Sequence, residues 1–222
     1  MSRKISRWIT IAGLLLLLAG GIAWAIAILS PILLCSAIFD HDTEFAKTLI
    51  GVGVNVNGRD EDGSTPLHMA AIKGNREIAE LLISKGADVD AREQKSGWTV
   101  LHRAVERGRN DQIVKILVAN GADVNATTHD GVTPLHKAAQ GRQSLETIRF
   151  LVSAGADVKA QDKYGSTPLH RAASGNTDVA VIRFLVSEGA DVHAKDNGGN
   201  TSLDLAKEKG NTEVVEYLNG VG

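Results

Sequence analysis

The sequence is poor in cysteine and in aromatic residues. Of 222 residues, one is cysteine, Cys35, and aromatic side chains account for 4%. A single cysteine cannot form an intramolecular disulfide, and it excludes a cysteine-based zinc site or a CxxC redox pair. The sequence also lacks a glycine-rich phosphate loop, a G-x-S-x-G elbow and an HExxH motif. We therefore expect no catalytic residues, no metal, no cofactor and no small-molecule substrate, which argues against an enzyme.

Basic charge is not in excess. The formal net charge is −2, and three basic residues, Arg3, Lys4 and Arg7, precede every acidic one. From Trp8 onward, 21 basic residues stand against 26 acidic residues. A nucleic-acid-binding protein usually has the opposite balance, because its basic face displaces the counterions of the phosphates. We expect no nucleic-acid partner.

One long segment, from Trp8 to Phe39, contains no charged side chain. Residues 8–29 are apolar and long enough to cross about 30 Å of hydrocarbon as a helix. Pro31 is expected to end this helix, because proline disfavours helical geometry in the residue before it. We predict a basic flank at 1–7 and a single-pass transmembrane helix at 8–29 that contacts the lipid bilayer.

The same segment has features of a cleaved signal peptide. A basic start and an apolar run are followed by Ala-Trp-Ala at 23–25 and Ala-Ile-Ala at 25–27, which resemble cleavage sites. The apolar run exceeds the roughly 7–15 residues usual in a signal sequence, which favours an uncleaved signal-anchor. The basic flank predicts a cytoplasmic N-terminus and an extracytoplasmic remainder. The alternative is a secreted protein.

The rest of the sequence repeats itself. The segments STPLHMAA, WTVLHRAV, VTPLHKAA, STPLHRAA and NTSLDLAK place a threonine at 65, 99, 133, 167 and 201, each 34 residues after the last. A second marker, G-A-D, recurs from glycines 86, 121, 155 and 189 in nearly the same phase. Self-similarity on this scale predicts a stacked array in which each unit buries a face against its neighbours.

Each unit is predicted to contain two short helices. Thr65 and most of its equivalents stand before a proline, a typical N-cap followed by the first helical residue. Gly74 and its equivalents are expected to end this helix in a left-handed turn. A second helix has apolar residues at helical spacing, such as Ile78 and Leu82, and ends at Gly86. Ala-Asp-Val then leads into a hairpin.

The T-P-L-H-x-A-A motif, the glycine between the helices, the apolar second helix and G-A-D-V-N-A resemble the ankyrin repeat from about Pro31 to Gly222. This resemblance implies an all-α solenoid of stacked helix-turn-helix units with β-hairpin loops, here preceded by one transmembrane helix. The predicted units are a degenerate first repeat at 31–60, repeats at 61–93, 94–127, 128–161 and 162–195, and a polar C-terminal cap at 196–222.

The period exceeds the usual ankyrin period of about 33 residues by one. The spacing of the two markers places the extra residue in the hairpin from Glu93 to Gly97, after the first full repeat. In later repeats, it places the extra residue between the two helices of the unit.

The recurring histidines at 68, 102, 136 and 170 share one phase, as do the aspartates at 88, 123, 157 and 191. Equivalent residues in neighbouring units lie about 8–10 Å apart, whereas zinc requires ligands at about 2 Å. We therefore expect each imidazole to hydrogen-bond to the backbone of a neighbouring unit. The aspartates are expected to bond local amides in turns.

Positions that vary between units at one phase are better candidates for function, because the fold does not dictate them. In ankyrin-like proteins, the hairpin tips and the exposed side of the first helix form a concave recognition surface, which implies a protein partner. The candidate residues are Glu61, Asp62, Ser64, Ile72, Lys73, Gln94, Lys95, Trp98, Glu106, Arg107, His129, Asp130, Val132, Gln140, Lys163, Tyr164, Ser166, Asn197 and Asn200. Trp98 and Tyr164 are expected to be interface anchors; alternatively, either ring packs on an adjacent hairpin.

These features predict a membrane-anchored scaffold or adaptor for protein–protein interaction. The hairpin tips and the concave helix face would bind the partner, while the helix at 8–29 fixes the repeats at the bilayer. The alternative is a secreted ankyrin-repeat effector or inhibitor, released after signal-peptide cleavage.

Overall fold

The chain folds into pairs of helices. The computed structural model describes residues 23–106, 111–141, 144–175 and 178–221, with side chains from residue 31 onward. Twelve helices lie in these ranges: α1 (Ala23–Phe39), α2 (Thr43–Gly51), α3 (Pro66–Lys73), α4 (Arg76–Ser84), α5 (Val100–Glu106), α6 (Asp111–Ala119), α7 (Pro134–Ala139), α8 (Leu145–Ser153), α9 (Pro168–Ser174), α10 (Val179–Ser187), α11 (Ser202–Lys209) and α12 (Thr212–Val221).

The helices form two layers. Each odd-numbered helix packs on the next odd-numbered helix, and each even-numbered helix packs on the next even-numbered helix. We call these the inner layer and the outer layer. Fully buried alanines, namely Ala70, Ala104, Ala138 and Ala172, recur along the inner layer. Their small side chains allow close packing between helices, and the stacked array predicted from the period is confirmed.

The inner helices begin as the sequence predicts. Thr133 and Thr167 are N-caps with an extended backbone, and a proline follows each of them at the start of the helix. The histidine three residues later completes a capping box. Its Nδ1 accepts a hydrogen bond from the backbone N–H of the threonine, at 3.2 Å in both units.

The other ring nitrogen of each histidine joins neighbouring units. Nε2 of His68, His102, His136 and His170 lies 3.3, 2.9, 2.9 and 3.1 Å from a carbonyl oxygen 30 residues further along. Since Nδ1 accepts from an N–H and a carbonyl oxygen only accepts, each ring is the neutral tautomer with its proton on Nε2. Burial lowers the pKa of His102 to about 4 and also lowers the pKa of His68 and His136. The predicted structural role is confirmed.

The loops between units contain no β-strand within the described ranges, so the hairpin prediction is wrong there. One isolated antiparallel bridge joins Arg92 and Thr99. We call the loops at 60–64, 93–98, 128–132, 162–166 and 196–200 the five tips. One backbone hydrogen bond closes each tip from its first residue to its last. In all but the second tip, the side chain of the first residue accepts hydrogen bonds from two backbone N–H groups of the same tip. These bonds take the place of the hydrogen bonds between two strands.

The extra residue of the period lies where it was predicted. The closing bond of the second tip spans 93–98, one residue more than that of the first tip, 60–64. In the unit of α9 and α10, the N-caps of the two helices, Thr167 and Asp178, are 11 residues apart. In the unit of α3 and α4, the N-caps Thr65 and Asn75 are 10 residues apart. Gly175, between α9 and α10, is extended, with φ −83°, so the left-handed turn predicted there is wrong.

Helix α1 continues through Pro31, so the prediction that this proline ends the helix is wrong. The ring of Pro31 is buried and packs against Gly58. A Cβ on Gly58 would lie 2.2 Å from Cβ of Pro31, so only glycine leaves the room. This packing offsets the helical hydrogen bond that proline cannot make.

The transmembrane prediction concerns residues 8–29. Most of this segment lies outside the described residues, which begin at Ala23. Among the helices that are described, none has both the length and the apolar character needed to cross a bilayer.

Candidate protein-binding surface

Backbone hydrogen bonds join the second, third, fourth and fifth tips into a continuous ridge. In each bond, an N–H of one tip donates to a carbonyl of the tip before it: His129 to Ser96 at 3.1 Å, Lys163 to Asp130 at 2.8 Å and Asn197 to Tyr164 at 2.8 Å. The first tip is joined through side chains instead, since Nζ of Lys95 lies 2.6 Å from Oδ1 of Asp62. The ridge is therefore preformed rather than assembled when a partner binds.

Glycine allows these tips to approach each other. Gly165 has a left-handed backbone, with φ +71°. A Cβ at this position would lie 2.7 Å from Oδ1 and 3.0 Å from the backbone nitrogen of Asn197. The close contact between the fourth and fifth tips therefore depends on the absence of a side chain at Gly165.

Two buried carboxylates hold arginines of the inner helices in place. Glu93 is 5% exposed and accepts hydrogen bonds from Nε and Nη2 of Arg103, both at 2.8 Å. Asp162, whose side chain is fully buried, accepts from Nη2 of Arg171. Burial opposes the ionisation of Glu93, but hydrogen bonds from Arg103 and two serine hydroxyls outweigh it and hold the pKa of Glu93 below its usual value. Both arginines are thereby fixed at the surface.

A groove of about 460 Å³ lies beside the second and third tips and reaches the inner helices. Six of the predicted surface residues line it: Lys95, Trp98, His129, Asp130, Val132 and Gln140. Lys137 of α7 and Arg171 of α9 also line it. The structure therefore brings together predicted residues from two successive units and adds two cations from the inner layer.

Trp98 forms one wall of this groove and is half-buried. Cζ of Arg103 lies 4.3 Å and Nζ of Lys137 lies 4.7 Å from the centre of its ring. Such positions are attractive because the face of an indole is electron-rich. Trp98 therefore contacts side chains of two inner helices, and part of its ring lines the groove. Its role as an interface anchor stays a prediction.

Tyr164 is the more exposed aromatic residue, at 53%. Its backbone is held on both sides, because its N–H donates to Asp162 and its carbonyl accepts from Asn197. Nζ of Lys163 lies 4.9 Å from the centre of its ring. A large exposed ring on a fixed backbone is a typical interface anchor.

The other predicted surface residues lie in different environments. The exposed ones are Glu61, Asp62, Gln94, Lys163, Asn197 and Asn200. The partly buried ones are Ile72, Lys73, Glu106 and Ser166. Ser64 is 3% exposed and donates to Glu93, so it supports the surface from beneath rather than facing a partner. Arg107 lies outside the described residues.

Sequence reasoning missed the basic residues Arg103, Lys137 and Arg171. They occupy the x position of T-P-L-H-x-A-A, where Met69 and Leu205 stand in the first and last of the five motifs. The signal was present, because this position varies at a constant phase. It was missed because the position lies inside the inner helices, between the histidine and the alanine of the motif, both of which the fold requires.

No metal-binding or nucleophilic centre stands out in the part of the chain that the structure describes. Within it, no three His, Cys, Asp or Glu side chains lie close enough together to hold a metal ion. Cys35 is buried, and burial, with a further contribution from the charge of Asp60, raises the pKa of its thiol to about 12. The thiol therefore stays protonated at neutral pH and is a poor nucleophile.

Comparison with known proteins shows similarity along the repeats. A family model for ankyrin repeats in three copies matches residues 33–128, 90–162, 111–196 and 135–221. Potassium channel AKT1 of Oryza sativa subsp. indica is 40% identical over 77 residues, which are 35% of this chain and 8% of the channel. Ankyrin repeat and SAM domain-containing protein 6 of Mus musculus is 43% identical over 76 residues, 34% of this chain and 8% of that protein.

Protein phosphatase 1 regulatory subunit 27 of Homo sapiens is 44% identical over 69 residues, 31% of this chain and 44% of that protein. The chain therefore matches less than half the length of each of these three relatives. Ankyrin repeats are typically non-enzymatic modules, and they indicate a function in protein–protein interaction. The threonine caps, the histidine bonds between units, the two-layered stack and the family match agree: the chain belongs to the ankyrin repeat family.

Proposed function

We propose that this chain is a membrane-anchored scaffold or adaptor that holds a protein partner against its tips and inner helices. The observation that carries this proposal is the ridge in which backbone hydrogen bonds join four tips. A preformed surface loses little conformational entropy on binding, so more of the contact energy appears as affinity. The ankyrin repeats support a protein as the occupant.

Tyr164 and Trp98 are the proposed anchors of the interface. Tyr164 stands 53% exposed on the ridge, and Trp98 lines the neighbouring groove. In most interfaces a few aromatic and arginine residues supply most of the binding energy, while surrounding contacts exclude water. The charged residues of the tips would form such a polar rim.

The membrane part of the proposal rests on the apolar segment 8–29 and the basic flank before it. The flank favours a cytoplasmic N-terminus, which would place the repeats outside the cytoplasm. Helix α1 begins at Ala23, inside this segment, and continues to Phe39 in the first unit. An anchor here would therefore join the repeats without a flexible linker and would restrict their orientation.

Photo-crosslinking from the ridge tests the partner surface. We would place p-benzoylphenylalanine at Tyr164 in the full chain and, as a control, at Val52, which is 75% exposed just after α2. A discrete protein adduct is expected from Tyr164 and not from Val52. With the partner thus identified and purified, Tyr164→Ala should weaken binding by at least about tenfold, since anchors contribute roughly 2 kcal/mol or more.

Val52→Ala should leave partner affinity unchanged, and both alanine variants should keep the melting temperature because both side chains are exposed. Equal crosslinking from the two positions, or unchanged affinity of Tyr164→Ala, would reject the ridge as the binding surface.

Intact-mass measurement distinguishes the anchored protein from the secreted alternative. An anchor predicts the mass of the whole chain, 23.5 kDa, in native membranes, and retention there after carbonate washing. Loss of about 25 N-terminal residues and recovery in the medium would reject the anchor and support a secreted effector or inhibitor.

A further inference from the structure

We infer that the five tips face the membrane, and that the partner they hold is itself embedded in that membrane and presents a basic segment close to the bilayer. This inference rests on the proposed function, because it requires the anchor at 8–29. Three features carry it: the direction of α1, the common direction of the inner helices, and the charge of the end of the stack at which the tips lie.

Helix α1 enters the stack at the end where the first tip lies. Pro31 packs against Gly58, which stands two residues before this tip. At the other end of α1, the centre of the Phe39 ring lies 3.4 Å from Nζ of Lys73, the last residue of α3. Helices α1 and α3 therefore run in the same direction, and the part of α1 before Pro31 extends from the tip end of the stack.

The other inner helices also start at this end. A histidine in the first turn of α3, α5, α7 and α9 bonds through Nε2 to the carbonyl of the last residue of the next tip, which directly precedes the N-cap position of the next inner helix. The starts of successive inner helices are therefore side by side. Since packed helices lie about 8–10 Å apart, the five tips form a row roughly 30–40 Å long.

The anchor would bring this row to the bilayer. Leu29, the last residue of the apolar segment, precedes Pro31 by two residues, which is about 3 Å of helical rise. A proline bends a helix but does not reverse it, so the bilayer would lie on the tip side of Pro31. The first tip would then lie at the level of the lipid headgroups, and the turns between paired helices would point away from the membrane.

The tip end of the stack is acidic. The loops that contain the tips, at 55–64, 87–98, 122–132, 156–166 and 190–200, have 12 acidic and 6 basic residues. When the residues in ion pairs within the described ranges are set aside, 8 acidic and 4 basic residues remain. Such a surface is repelled by anionic headgroups and attracts a basic segment of a protein.

The same surface is poorly suited to enter the bilayer. Tyr164 is the exposed large apolar side chain of these loops, whereas a surface that inserts into the interface combines several apolar residues with lysine and arginine. The occupant is therefore a protein segment rather than lipid. Because the tips would face the bilayer closely, a segment that already leaves the membrane can reach them, and a soluble folded domain is excluded by its size.

Energy transfer on the full chain in vesicles tests the orientation. Lys195, directly before the fifth tip, and Lys209, the last residue of α11, are exposed lysines of one unit. Lys195→Cys and Lys209→Cys would each carry a donor fluorophore, and phosphatidylcholine vesicles would contain a headgroup-labelled acceptor lipid. Cys35 is buried, and the wild-type chain treated in the same way measures its labelling. Transfer should be stronger from position 195, because α11 separates the labels by about 12 Å.

Flotation of the vesicles separates the two proposals. A chain that does not float with them lacks the anchor, which would reject the membrane part of the proposed function together with this inference. A chain that floats but shows equal transfer from both labels, or stronger transfer from position 209, would reject only the membrane-facing tips.

The adduct formed from Tyr164 tests the partner. Its crosslinked peptide is expected to carry Lys or Arg, to lie beside an apolar segment of about 20 residues, and to resist carbonate washing. A soluble protein in the adduct would overturn this inference and leave the ridge as the binding surface. An adduct with lipid would overturn both proposals.

Charge variants test the basic segment. Asp157→Asn with Asp191→Asn removes two exposed charges from the tip end and keeps the side-chain oxygens that accept backbone amides there, so this variant should fold. It should weaken the purified partner by about threefold or more. Glu213→Gln with Glu216→Gln, on exposed positions of outer helix α12, is the matched control and should leave the affinity unchanged. Equal affinities of the two double variants would overturn the basic segment.

Discussion

Acidification should destabilise the stack through the histidines that cap the inner helices, and His102 allows the effect to be worked out. Its Nδ1 accepts the backbone N–H of Thr99 at 3.2 Å, and its Nε2 donates to the carbonyl of Val132 at 2.9 Å. Protonation would place a hydrogen on Nδ1, facing the N–H of Thr99, and the cap would be lost. Burial lowers the pKa of His102 from 6.5 to about 4, so the folded chain resists this proton.

The sign and the size of the effect follow from proton linkage. Between pH 6.5 and about 4, the unfolded chain protonates this histidine and the folded chain does not, so stability falls as the pH falls through this window. At pH 5, His102 alone should lower the free energy of unfolding by about 2 kcal/mol, and by about 3 kcal/mol below pH 4. The pKa values of His68 and His136 are lowered in the same direction and should add to the loss.

Urea unfolding of the full chain and of His102→Gln, followed by circular dichroism at pH 7 and pH 5, measures this contribution. The variant should be less stable at pH 7, because glutamine lacks the rigid ring that holds the Thr99 and Val132 hydrogen bonds at the same time, but it should lose about 2 kcal/mol less on acidification. Long-range ¹H–¹⁵N spectra of the imidazole test the pKa without any assumption about unfolding. Titration of His102 near 6.5, or equal losses in the two chains, would refute this reasoning.

Two further changes probe a cap and a tip junction. Ser202 is buried, and its hydroxyl has no hydrogen-bond partner in the described ranges. Three other motifs have proline at this position. Ser202→Pro should raise the free energy of unfolding in urea by about 1 kcal/mol, because proline at the first helical position restricts the unfolded chain. Ser202→Ala should raise it less, and a loss with proline would contradict the cap geometry, since Thr201 is already extended. Gly165→Ala should cost about 1 kcal/mol more than Gly86→Ala, because both backbones are left-handed but the Cβ at Gly165 would clash with the next tip, whereas nothing lies within 4 Å at Gly86. Equal shifts in melting temperature would contradict a tight junction.

The regular part of the fold could be predicted from the sequence because its causes are local. Thr133 followed by proline specifies the start of a helix within a few residues, whatever surrounds it. The 34-residue period then predicts the stacking, since units with the same apolar faces bury them in the same way. The bond from each histidine to the next unit follows from this regularity.

The candidate site could be predicted only in part. Variation at a constant phase identified Trp98 and Tyr164, and the structure places both on the tip side of the stack. The position of Arg103, which lies over Trp98, also varies at a constant phase, but this variation does not show that Glu93, a buried residue of the tip, fixes the arginine there. Nothing in the local sequence states that this carboxylate is buried.

The sequence by itself therefore determined the two-helix unit, its caps, its repetition and the kinds of side chain offered at the tips. Only the tertiary structure decided that α1 continues through Pro31, which Gly58 accommodates, and that Lys137 and Arg171 converge on a groove beside an indole from another unit. The physical reason is the range of the interactions. Caps and turns act within a few residues, whereas grooves and buried ion pairs depend on how neighbouring units approach, and that approach is set by the packing of the whole stack.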